Sequence, residues 1–145
     1  MRTGIVALLA ALTCLAAAFP TSAEETSIRI VVHPSNGAQA FTRRELSDLF
    51  LKRTTRWPDG AAVHPVEPPE RSMTRLHFLS GVMGKTAFAL KVFWKRRVAE
   101  GHDAPPEQLP SDADVVAYVR GTPGAIGYVS PETDVTGVKP LPISD

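Results

Sequence analysis

The sequence predicts a single layered α/β lobe, with a mixed, partly parallel sheet flanked by helices. Three observations predict it. Short runs rich in β-branched residues, at 28–33, 61–66 and 125–129, are bounded by turn residues. Helix-start signatures stand between them at Thr42, Ser72, Thr86 and Ser111. Strands alternating with helices build a layered domain whose crossovers set some strands parallel.

The elements follow in chain order. Ile28-Arg29-Ile30-Val31-Val32-His33 reads as a buried strand, closed by the turn cluster Pro34-Ser35-Asn36-Gly37. Thr42 and Glu45 have capping-box spacing, and Phe41 can pack on Leu46 as a hydrophobic staple. Leu46, Leu49 and Phe50 then share one helix face, opposite Arg43, Arg44, Asp48, Lys52 and Arg53. Trp57-Pro58-Asp59-Gly60 is a turn, and residues 61–66 form a second strand closed by Pro68-Pro69. Ser72 caps a second helix with Leu76, Leu79 and Met83 on one side and Phe78 and Val82 beside them, loosened at Gly81 and Gly84.

A third helix over 86–99 carries Phe88, Val92 and Phe93 and stops at Gly101. Residues 102–110 form a proline-rich loop. Ser111 and Asp114 cap a helix bearing Val115, Val116 and Val119, ended by Gly121. Thr122-Pro123-Gly124 turns into the strand 125–129, and 138–141 adds a short edge strand.

The first 23 residues have the three parts of a secretory signal. Arg2 supplies a positive charge, residues 4–18 are apolar or small, and Thr21-Ser22-Ala23 offers a small-residue exit before Glu24-Glu25. The apolar run is short for a membrane span. Cys14, the sole cysteine, lies inside it, and the core continues past it, unlike a lipid-attachment cysteine. The expectation is a signal peptide over 1–23 and one domain over 24–145, cysteine-free and exported to a periplasm. After cleavage no apolar run long enough for direct membrane insertion remains. Arg2 is one of 16 Lys and Arg against 15 Asp and Glu, so cleavage leaves the two signs equal. Such a balance does not point to nucleic acid.

Several motifs carry no chemistry. Gly81-Val82-Met83-Gly84-Lys85-Thr86 has only two residues between its glycines and follows a helix, whereas a phosphate-binding loop needs four and follows a strand. The four histidines, at 33, 64, 77 and 102, lack zinc-site spacing, and no nucleophile elbow is present. No cofactor or metal is expected, and no enzyme. A small periplasmic hydrolase stays the remotest alternative.

The informative stretch is Val66-Glu67-Pro68-Pro69-Glu70-Arg71-Ser72-Met73-Thr74-Arg75. A strand ends, prolines turn the chain, and a helix opens with two hydroxyls and nearby arginines, a pattern that favours an anion. On the residues alone a plainer reading carries more weight. In it Ser72 only caps, Thr74 faces solvent, and the arginines pair with Glu67 or Glu70.

In order and spacing these landmarks resemble one lobe of the periplasmic phosphate-binding proteins of ABC transporters, of the type II periplasmic-binding-protein class. The likeness runs through Ile30-Val31-Val32-His33, Phe41-Thr42 to Leu51, Trp57-Pro58-Asp59-Gly60, Ser72-Met73-Thr74-Arg75 with Phe78, Phe93-Trp94, and Gly124-Ala125-Ile126-Gly127-Tyr128-Val129. The resemblance implies a periplasmic-binding-protein-like lobe that binds phosphate or a similar oxyanion without metal, for an ABC transporter or sensor. It implicates Ser72 and Thr74 as donors, Arg71 or Arg75 as the cation, and Ser35 as a further candidate. Three departures stand out. Met73 replaces the family's glycine, Pro68 falls near its arginine, and only one lobe is present. One lobe leaves the anion partly in water, where hydrogen bonds contribute little net free energy, so weak binding is expected. The alternative is a periplasmic interaction or accessory module that has lost its ligand.

Overall fold

The structure is a computed structural model, and it describes residues 27–145. The expected signal segment lies outside the described residues. The elements are β1 (Arg29–Val32), α1 (Arg43–Phe50), β2 (His64–Glu67), α2 (Met73–Phe78) running into a π-helical turn (Leu79–Met83), α3 (Ala87–Ala99), β3 (Glu107–Gln108), α4 (Asp112–Gly121), β4 (Ala125–Val129) and β5 (Lys139–Leu141).

The five strands form one sheet in the order β3-β2-β4-β1-β5. β2 pairs in parallel with β3 and β4, while β1 runs antiparallel to β4 and β5. The expected mixed sheet with flanking helices is therefore present. β4 lies at its centre, and all five of its residues are buried, as a strand covered on both faces requires. Alternation along β4 divides the core. Ile126 and Tyr128 join Leu46, Phe50, Phe78 and Leu79 on one face, and Ala125 and Val129 meet the α4 valines on the other. Phe78 stacks on Tyr128 at 3.9 Å between centroids, with Phe50 edge-on to both.

Local signals explain the element boundaries. The Thr42 hydroxyl accepts from Glu45 N, and the Glu45 carboxylate accepts from Thr42 N, so the capping box of α1 is complete. Thr86 and Ser111 cap α3 and α4 in the same way through their hydroxyls. The π turn ends at Gly84, whose φ of +60° suits a residue without a Cβ.

Four expectations need correction. β2 lies three residues later than its expected start, and a short β3 stands inside the expected proline-rich loop. Leu76 points away from the core at 41% exposure, because α2 buries Thr74, Arg75 and Phe78 instead. Phe88 and Val92 are also exposed, and Leu90 and Trp94 hold α3 to the core. At 100° per residue, Phe88 and Val92 lie opposite Leu90 and Trp94, and with Lys91, Lys95, Arg96 and Arg97 interspersed around the helix no single apolar face announces which side is buried.

Candidate functional site

Parallel strands with flanking helices place loops and helix starts at the carboxyl ends of the strands, where α/β folds seat ligands. The carboxyl end of β2 leads through Pro68-Pro69 to Ser72, that of β3 to Ser111 and Asp112, and that of β4 to Ser130. Since the three strands are parallel, these residues share one end of the sheet.

Asp112 is the hub of that end. Its Oδ2 accepts from the Thr74 hydroxyl at 3.2 Å, the Ser130 main-chain N–H at 2.8 Å and the Thr133 hydroxyl at 3.2 Å. Ser130 Oγ lies 2.8 Å from Thr133 Oγ1. Thr133 spends its one proton on the carboxylate, so Ser130 donates to Thr133. Three charge-assisted bonds, from α2 and from the turn after β4, thus meet on a single anionic oxygen. Thr74 is buried, whereas Asp112, Ser130 and Thr133 are partly exposed.

Glu67 and Arg75 lie beside this hub, both nearly inaccessible. Arg75 Nε donates to Glu67 Oε2 at 3.2 Å. Burial pushes the Glu67 carboxyl above the usual carboxylate range, and the Arg75 guanidinium pulls it back. The Tyr128 hydroxyl is buried, and among the described residues it has no hydrogen-bond partner. Its ionisation is pushed far up by burial and by the negative charge of Glu67.

The residues singled out from sequence are distributed unevenly. Ser72 caps α2, its hydroxyl accepting from Arg75 N at 3.2 Å, which leaves the hydroxyl proton free to donate elsewhere. Thr74 does not face solvent but bonds Asp112. Arg75 is committed to Glu67, and Arg71 is exposed near Ser72 in the chain. Ser35 is not brought to this end. Because β1 is antiparallel to β4, the turn after β1 lies near Gly124, at the opposite end of the sheet, where Ser35 bonds His33 Nδ1 at 2.7 Å. There it borders a groove lined by Phe41, Trp57 and Gly124, with the Trp57 indole donating to Gly124 O at 2.9 Å.

Sequence reading missed Asp112, Ser130 and Thr133. Asp112 adjoins the Ser111–Asp114 capping pair and looks like ordinary helix-start acidity. The available signal was the pair of hydroxyls three residues apart just after a buried strand. Among the described residues, no group of three or more His, Cys, Asp or Glu is placed to hold a metal ion. No helix among them is long and apolar enough to cross a membrane.

A family model described as a PBP superfamily domain matches residues 27–138. Among solved structures, the fold is similar to an ABC-type phosphate transport receptor from Vibrio cholerae, at 19% identity and a TM-score of 0.65. It is also similar to PstS from Borrelia burgdorferi, at 14% identity and a TM-score of 0.60. Each likeness covers 82% of this chain and 47% of the other, so the chain spans less than half the length of these receptors. No curated protein matches the sequence.

Proposed function

The chain belongs to the PBP superfamily, and from that membership we propose that it is a non-enzymatic, exported solute-binding domain for phosphate or a similar oxyanion. The domain runs over 24–145 after cleavage of a signal over 1–23, and it works in the periplasm beside an ABC transporter or a sensor. One observation carries the reading. In a lobe folded like phosphate receptors, Ser72, Thr74, Ser130 and Thr133 cluster at the carboxyl ends of the parallel strands. Arg71 is the exposed cation nearest to Ser72 in sequence, and Arg75 acts from behind as the buried partner of Glu67.

Such a lobe holds an anion from one side only. Hydrogen bonds made in contact with water contribute about 1 kcal/mol each, so binding is weak unless a second wall comes from another chain. The test is phosphate-dependent thermal stabilisation of the purified protein against T74V, which keeps the shape of Thr74 and removes its hydroxyl. Stabilisation is expected in the parent and lost in T74V. Its absence in both favours a second reading, an accessory interaction module. The engagement of Thr74 with Asp112 and of Arg75 with Glu67 supports that second reading, because both side chains already have partners.

A further inference from the structure

We infer that the Asp112 carboxylate is a built-in occupant of the oxyanion subsite, which a free anion must displace to reach Thr74, Ser130 and Thr133. The inference rests on the oxyanion reading above. Its geometry is that of a bound anion. A main-chain N–H and two hydroxyls, drawn from α2 and from the turn after β4, converge on one carboxylate oxygen at 2.8–3.2 Å. Helix capping does not account for this arrangement. Ser111 already caps α4, its hydroxyl accepting from Asp114 N at 3.1 Å and donating to the Asp114 carboxylate at 2.8 Å. Asp112 points away from that local box to donors 18, 21 and 38 residues distant in the chain.

Two consequences follow for any small anion. The three donors are saturated, so an incoming oxyanion finds no free proton among them until the side chain leaves. The carboxylate also repels a second negative charge brought within a few ångströms of it. Asp112 is partly exposed, so it has solvent to swing into, and displacement does not require unfolding. Asp112 is thus a specificity-determining residue, and it sets the threshold anion concentration at which the lobe loads.

The experiment titrates inorganic phosphate into the parent protein, D112A, D112N and D112A T74V, at constant ionic strength. Calorimetry gives the affinity, and the Ser130 amide resonance gives the location. Removing a unit charge this close is expected to tighten phosphate binding by about ten- to a hundredfold. The Ser130 amide should move on saturation, and the gain should disappear in D112A T74V. D112N keeps the size of the side chain and guards against a folding defect in D112A; a gain in either folded variant supports the inference. Equal affinity in the parent and both variants overturns it while leaving the proposed function standing. Tight binding confined to the Asp112 variants supports the inference and removes the proposed function from the parent protein. No saturable binding to D112A and none to D112N, with both folded, overturns the inference, because the freed donors then form no oxyanion site.

Discussion

Replacing Arg75 by methionine leaves the Glu67 carboxyl buried and without its partner. The two side chains are 8% and 3% exposed and 3.2 Å apart, so little solvent is available to take over from the guanidinium. Removing one member of such a pair costs about 3–5 kcal/mol, against a total stability of about 5–15 kcal/mol for a domain of this size. With a urea m-value of about 1.5 kcal/mol/M, the midpoint falls by about 2–3 M at pH 7.5.

The penalty depends on pH, and its direction follows from Glu67. Burial raises its carboxyl in the folded state, and loss of Arg75 raises it further. Above the ordinary carboxylate range the folded variant then holds a proton that the unfolded chain has released. Its stability therefore falls as pH rises, by up to about 1.4 kcal/mol per unit, until the folded-state carboxyl ionises. R75M should accordingly be closer to the parent at pH 5 than at pH 7.5. E67L R75M removes both charges and should recover most of the loss, since well-packed apolar replacements of buried pairs are often neutral. Urea titrations followed by circular dichroism at the two pH values read all of this. A midpoint shift under about 0.5 M in R75M, equal at both pH values, refutes the reasoning.

Other predictions concern packing, capping and the loops. In G127A the new methyl carbon would sit 2.6 Å from Val115 Cγ1, so α4 must move off β4, at a cost of about 1–3 kcal/mol in chemical denaturation. T42A removes the capping box of α1 and should cost about 1 kcal/mol, with T42S nearly neutral. Hydrogen bonds from the Thr136 hydroxyl and amide hold the Asp134 carboxyl below the usual range. T136A removes the hydroxyl bond, so carboxyl NMR should find Asp134 titrating at higher pH.

Much of this molecule was legible from residue types at fixed spacing. Thr42 with Glu45 and Ser111 with Asp114 marked two helix starts, because capping is local chemistry. The valines 115, 116 and 119 and the run 125–129 marked core, because β-branched clusters have few other uses. Legibility ended where partners are distant in the chain. Phe88 and Val92 stood out as apolar positions of α3, but apolar and basic residues are mixed around this helix and only the fold selects the side with Leu90 and Trp94. The reach of Thr74 to Asp112 spans 38 residues, and that of Asp112 to Ser130 spans 18. No periodicity encodes such contacts. Ser35 shows the converse problem: a donor in a plausible turn was carried to the far end of the sheet by the antiparallel direction of β1.

The most direct test of the central claim is a calorimetric titration of phosphate into the purified, proven monomer. A lobe that grips an oxyanion from one side, with Asp112 already among its donors, predicts saturable binding with a Kd on the order of millimolar. A sub-micromolar Kd in the monomer contradicts the account.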